Sequence, residues 1–125
     1  MRRPAWIRNA PALLLAMIGG IAARPAVAEL SLLMVEQMGC VYCERWDREI
    51  APAYPLTDEG AAAPLRRIDL RDPVPEDVSL ERRAAFTPTF VLLDDGVEVG
   101  RIEGYPGEDF FWPLLAALIE GAGTE

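Results

Sequence analysis

Runs of apolar residues divide the chain into segments with different periods. Residues 30–35 (LSLLMV) form a near-continuous apolar run, which predicts a strand buried on both faces. Residues 40–50 read as one helix, with Val41, Tyr42, Trp46 and Ile50 available for packing and Glu44, Arg45, Asp47, Arg48 and Glu49 left to solvent. Pro52 ends or kinks it. Residues 54–64, with Pro55, Gly60 and Pro64, read as loop or a ragged extension. Residues 65–70 (LRRIDL) alternate well enough for a second strand. Pro73 and Pro75 break the next stretch, and residues 79–85 then predict a short helix with Ser79 as its N-cap.

Residues 89–93 and 97–103 flank Asp94-Asp95-Gly96, a tight-turn signal, and so predict an antiparallel hairpin. After Gly104-Tyr105-Pro106-Gly107, an amphipathic helix opens at Glu108 or Asp109 and runs to about Glu120. Its expected apolar face is Phe110, Phe111, Leu114, Leu115, Leu118 and Ile119, and the acids at its start suit the helix dipole. Pro113 deletes one of its hydrogen bonds. The order strand, helix, strand, short helix, hairpin, helix implies an α/β fold. Its central mixed sheet has about four strands, a parallel pair joined through a crossover helix plus the antiparallel hairpin, flanked by helices.

The first 28 residues change the picture of what folds. Arg2, Arg3 and Arg8 form a positive n-region, residues 12–23 are almost unbroken apolar, and Ala26-Val27-Ala28 offers small residues before Glu29. These are the parts of a secretory signal peptide, so the expected division is a leader over 1–28 and one small domain over 29–125. The alternative is a retained anchor, but the run falls short of the ~20 residues a bilayer needs and is interrupted by Arg24 and Pro25. Losing the leader removes four arginines and no acids, taking the formal charge from −8 to −12. So acidic a domain is a poor binder of nucleic acid or anionic membrane; a solubilising surface is the simpler reading.

The chain contains neither histidine nor lysine. That excludes Ser-His-Asp and Cys-His catalysis, histidine-dependent metal sites and lysine Schiff bases. What remains as nucleophile is one pair, Cys40 and Cys43, in Cys40-Val41-Tyr42-Cys43. Residues i and i+3 of a helix have Cα atoms ~5 Å apart, inside the ~4.4–6.8 Å window of a disulfide. A helix start supplies free N–H groups and the positive end of the dipole, which favour a thiolate. As a structural staple the pair is badly placed: a four-residue loop is worth roughly 2 kcal/mol against ~3 for fifteen residues. Zinc would need two further ligands, whereas Cu(I) binding by two thiolates stays open. The favoured reading is a redox-active dithiol at the C-terminal end of the first strand, where open α/β sheets place their sites.

This order of elements, with Cys40-Val41-Tyr42-Cys43 after the first strand and Thr87-Pro88-Thr89-Phe90 before the hairpin, resembles the thioredoxin fold over residues 30–120. More narrowly, EQMGCVYCERWDREIAPAYPLT, LRRIDLR, FTPTFVLLDDG and GRIEGYPGEDFFWPLL resemble the SoxS-type periplasmic thioredoxins of bacterial sulfur-oxidation systems. The resemblance implies a periplasmic thiol–disulfide oxidoreductase acting mainly as a reductase, which reactivates thiosulfate-oxidising proteins by cleaving disulfides on their sulfur-carrier subunit. It implies Cys40 as the exposed attacking cysteine, Cys43 as the buried resolving one, and Pro88 as the family's cis-proline. Thr87 would offer main-chain hydrogen bonds to a substrate strand, and Gly104 and Tyr105 would form the neighbouring docking loop. Tyr42, between the cysteines, joins these expected substrate contacts; Tyr105 is equally readable as a packing residue.

Two departures matter. Other thioredoxins carry Trp-Cys-Gly-Pro-Cys, where this chain has Gly39, Val41 and Tyr42, and a buried aspartate on the first strand, where Met34 stands. Glu36 and Asp69 are the candidate proton acceptors for Cys43, though each also reads as a solvated or loop-capping charge. No cofactor is expected beyond the Cys40–Cys43 disulfide, and the chain should be a monomer. A reductant outside the cytoplasm needs electrons carried through the membrane, which implies a membrane thiol-electron transporter as partner. Other roles stay open: cytochrome c maturation, disulfide isomerisation, or a Cu(I)-binding or non-catalytic docking module.

Overall fold

In a computed structural model of the chain, residues 19–21 and 29–123 are described. Apart from residues 19–21, the expected leader and its cleavage point after Ala28 lie outside the described residues. Four strands and three helices follow one another as β1 (Leu30–Glu36), α1 (Val41–Glu49), α2 (Asp58–Ala62), β2 (Leu65–Asp69), β3 (Thr89–Asp94), β4 (Val97–Glu103) and α3 (Glu108–Ala122). The sheet order is β2-β1-β3-β4. β1 runs parallel to β2 through the α1–α2 crossover and antiparallel to β3, and β3 pairs antiparallel with β4. This is the expected mixed four-stranded α/β sheet.

The apolar run of β1 is explained by its central place. Leu32 and Met34 face one core, with Phe90 and Leu92 from β3; Leu33 and Val35 face the other, with Val91 and Leu93. Over the first face lie Trp46 of α1 and Ile50 at its C-cap, Tyr54, and Phe111 and Leu115 of α3. The ring centroids of Trp46, Phe90 and Phe111 lie 5.0–5.9 Å apart, the spacing of edge-to-face and tilted aromatic packing. The hairpin turns as its sequence demands: Asp94 pairs with Val97, and Asp95 and Gly96 take φ of 48° and 82°, the signature of a two-residue turn matched to strand twist.

Four expectations need correcting. Residues 54–64 are ordered rather than loop: a 3-10 turn over Tyr54–Leu56 leads into α2, whose N-cap Thr57 accepts the Gly60 N–H through its hydroxyl. The buried Tyr54 hydroxyl donates to the Ala63 carbonyl at 2.6 Å and locks that corner. No helix forms over residues 79–85. Instead Ser79 bridges to Val97, donating to the Gly96 carbonyl and accepting from the Glu98 N–H. The backbone groups that a helix would satisfy internally are taken by β4 and by side chains: Glu98 accepts the Glu81 N–H, and Arg101 donates to the Arg82 carbonyl.

On α3 the apolar face is rotated from the one expected. Phe111, Leu115, Trp112, Leu118 and Ile119 pack inward while Phe110 and Leu114 are exposed. The helix continues through Pro113 to Ala122. On α1, Val41 and Tyr42 likewise face solvent, because Cys43, Trp46 and Ile50 at i, i+3 and i+7 own the buried side.

Candidate active site

β1 ends at Glu36, and the loop Gln37–Gly39 turns the chain into α1. Gly39, at φ 78°, takes the left-handed conformation that a side chain resists, and it delivers Cys40 to the helix N-cap. There the Cys40 N–H donates to the Gln37 carbonyl at 3.3 Å, and the Cys40 carbonyl accepts the Glu44 N–H at 3.1 Å. Its sulfur accepts the Cys43 N–H at 3.1 Å, the bond that an N-cap oxygen would ordinarily make. Cys40 and Cys43 are joined in a disulfide with Cα atoms 5.2 Å apart. In this oxidised state both are largely buried, Cys40 at 9 % exposure and Cys43 at 4 %. Cys40 is thus the more exposed residue of the two, though both belong to the buried core rather than to open surface.

The charge around the pair is mostly negative. A groove of about 350 Å³ beside the disulfide is lined by Gln37, Met38, both cysteines, Glu36, Glu44, Asp47 and Asp69. Arg67 is the cation that answers them. It donates to Glu36 and to Asp47, each at 2.7 Å, and lies 5.4 Å over the Trp46 ring. Desolvation pulls its pKa down, but the two carboxylates outweigh that and hold it above the ordinary arginine value. Of the two candidate proton acceptors, Glu36 is therefore ion-paired, and Asp69 accepts the Arg71 N–H at 2.8 Å in a turn. Both line the groove that Cys43 shares. Met34 is fully buried between Arg67 of β2 and Phe90 of β3 in the sheet.

The other expected site residues lie on the loop before β3 and the loop after β4, the first joined to the Gln37–Gly39 turn by the Gln37–Thr87 hydrogen bond. The Thr87–Pro88 peptide is cis, and Pro88 is buried. The Pro88 carbonyl accepts the Gly104 N–H at 2.7 Å, tying this loop to the one after β4. The main-chain N–H and C=O of Thr87 have no partner among the described backbone groups. Tyr42, Gly104 and Tyr105 come together with Glu103 and Pro106 around an open groove of about 330 Å³. Tyr42 is 57 % exposed, and Met38, Val41 and Phe86 add further exposed apolar surface.

Tyr105 differs from the others. It is 6 % exposed, and its hydroxyl donates to Glu49 at 2.5 Å. Arg45 donates to the same carboxylate at 2.8 Å and sits 5.5 Å over the Tyr105 ring. The hydrogen bond from Tyr105, then that from Arg45, hold Glu49 below the usual carboxylate range. Burial, then the Glu49 bond, push the Tyr105 phenol up. Tyr105 forms part of the groove wall, and its hydroxyl fastens the Gly104–Gly107 loop to α1.

Sequence alone leaves Arg45 and Glu49 to solvent; their i, i+4 spacing permits the pair, but nothing in the sequence signals Tyr105 as its third member. Gln37 was missed altogether. Its side-chain amide donates to the Thr87 hydroxyl at 2.9 Å across 50 positions of chain.

A family model of the thioredoxin-like domain matches residues 22–119. Among solved structures, the chain is similar to the periplasmic thioredoxin SoxS from Paracoccus pantotrophus in its reduced form. The two are 66 % identical with a TM-score of 0.74, over 75 % of this chain and 99 % of that one. A thioredoxin-fold protein from Helicobacter pylori, at 20 % identity and a TM-score of 0.58 over 75 % of this chain and 71 % of that one, shares the fold. No match is found among curated proteins. With Cys40 and Cys43 closed into a disulfide at the mouth of α1, the chain belongs to the thioredoxin-like family and is a thiol–disulfide oxidoreductase.

Proposed function

We propose that the protein is a periplasmic disulfide reductase serving a sulfur-oxidation system, with Cys40 as attacking and Cys43 as resolving sulfur. The observation that carries this reading is the 66 % identity to a periplasmic SoxS thioredoxin across 99 % of that chain. In the cycle, the Cys40 thiolate attacks a partner disulfide, forming a mixed disulfide and releasing one partner thiolate. The Cys43 thiolate then attacks the Cys40 sulfur, forming the 40–43 disulfide and releasing the second partner thiolate. Two electrons pass to the partner, and a membrane thiol-electron transporter supplies two more to reopen the 40–43 disulfide; the dithiol is itself the redox group. Thr87, Pro88, Tyr42, Gly104 and Tyr105 form the docking surface.

The electrostatics lean the same way. The helix N-terminus and the Cys43 N–H favour a Cys40 thiolate, while Glu44 and the other carboxylates of the groove oppose it. A thiolate stabilised only moderately makes a reductant, because strong stabilisation of the reduced form makes an oxidant. In vivo, Cys43→Ser should trap a disulfide-bonded complex at Cys40 with the sulfur-carrier subunit, and N-terminal sequencing should begin at Glu29. Trapping by Cys40→Ser in place of Cys43→Ser would reverse the assigned roles. A trapped partner set without sulfur-oxidation proteins would remove the pathway assignment.

A further inference from the structure

We propose that Gln37 is a positioning residue for disulfide exchange, holding the Thr87–Pro88 loop at a set distance from Cys40. The two halves of the site reach it from different places. Cys40 and Cys43 ride on α1, packed on one face of the sheet, while Thr87 and Pro88 end the segment that crosses the other face. The core that seats one half therefore does not seat the other. What they share is the β1–β3 ladder, and that ladder stops short of the site: its last pair toward the site is Val35 with Thr89.

Continued in register, the next residues to face each other are Glu36 with Pro88 and Gln37 with Thr87. At that step the Glu36 carbonyl accepts the Leu70 N–H and the Pro88 carbonyl accepts the Gly104 N–H, so neither main chain bonds across from β1 to the Pro88 loop. The Gln37 amide bridges the gap with its side chain, donating to Thr87 Oγ1 at 2.9 Å. The same residue's carbonyl accepts the Cys40 N–H at 3.3 Å. One residue thus touches both the loop that presents Thr87 and the attacking cysteine, and it lines the groove at the disulfide.

This assignment rests on the proposed docking of a substrate strand on Thr87, and it separates two kinds of substrate. A polypeptide disulfide must lie along the Thr87 main chain while its sulfur meets Cys40. A small disulfide needs only the sulfur. Loss of one hydrogen bond of this kind corresponds to about threefold to tenfold in an equilibrium.

The test compares insulin disulfide with a small aromatic disulfide as substrates of wild type, Gln37→Leu, Thr87→Val and the double variant. The proposal expects Gln37→Leu to raise KM for insulin about threefold to tenfold, with a several-fold smaller effect on the small disulfide. It also expects the double variant to be no worse than Thr87→Val, because both remove the same bond. Gln37→Ala, which removes the amide without adding apolar surface, should reproduce the result. An unchanged KM in both Gln37 variants, an equal loss on both substrates, or full additivity overturns the proposal. A reduced wild-type protein that fails to cleave insulin at all overturns the docking reading beneath it, a result no Gln37 variant can mimic.

Discussion

On one face of the sheet, Trp46, Phe90 and Phe111 interlock beneath α1 and α3; on the other, Val78 joins Leu33, Val35, Val91 and Leu93 beneath a strap that contains no helix. The first face is held by aromatic packing, with Trp46 three residues beyond Cys43. The second is held by polar ties. Arg66 grips Asp77 through two bonds of 2.9 and 3.1 Å, Ser79 bridges to β4, and Glu98 and Arg101 form a buried pair that also fixes Glu81 and Arg82. A bulge opposite Leu92 and Leu93 makes that pair, because it sets Glu98 and Arg101 on the same side of β4. The active site lies where the two constructions meet, its sulfurs anchored to the packed face and its cis-proline loop at the end of the tied strap. Side-chain burial seats the dithiol; directed hydrogen bonds seat the surface proposed to meet a partner.

The sharpest way to break this contrast is to remove volume from each face. Trp46→Ala should cost about 3–5 kcal/mol in urea unfolding, against about 1–2 kcal/mol for Val78→Ala. Equal costs would mean that the strap is as tightly packed as the helices. Next comes the buried pair. Glu98→Ala leaves Arg101 buried without its carboxylate and should cost about 3 kcal/mol, with Arg101→Met recovering part of that in the double variant. Faster proteolysis within residues 79–87 should accompany the single change and identify the strap as the part released.

The smallest effect belongs to the tie on the α1 side. Glu49 is held below the usual carboxylate range, so its contribution is present above that range and fades as pH falls through the lower folded value. Glu49→Gln should therefore flatten the acid limb of stability against pH without moving the neutral plateau much. An unchanged acid limb would show that Tyr105 and Arg45 do not hold the loop through this carboxylate.

The same contrast explains what was legible in the sequence. β1, β2, the Asp95-Gly96 turn and α1 announced themselves through local signals: an apolar run, alternation, a turn dipeptide and helical spacing. Cys40 and Cys43 were marked by their spacing at a helix start, whereas Thr87 and Pro88 entered only through the family resemblance. The strap was misread as a helix, because what decides residues 79–85 is Glu98 and Arg101, far along the chain and carrying no local pattern. Pro55, Gly60 and Pro64 made residues 54–64 read as loop and so hid α2; a Cβ on Gly60 would strike the Tyr54 carbonyl, a constraint only packing reveals. Phe110 and Leu114 satisfy a helical period as well as Leu118 and Ile119 do, and only the position of the sheet chooses between them. Gln37 and the Tyr105–Glu49 bond are long-range pairings, invisible until the chain is folded.

The central claim is that Cys40 and Cys43 form a reducing couple, and the reduction potential of that pair tests it most directly. Equilibration against a thiol buffer of known potential, read by thiol alkylation, should give a value near −270 mV, about that of thioredoxin itself. A value near −120 mV, about that of the strongest oxidants known on this fold, would contradict the account.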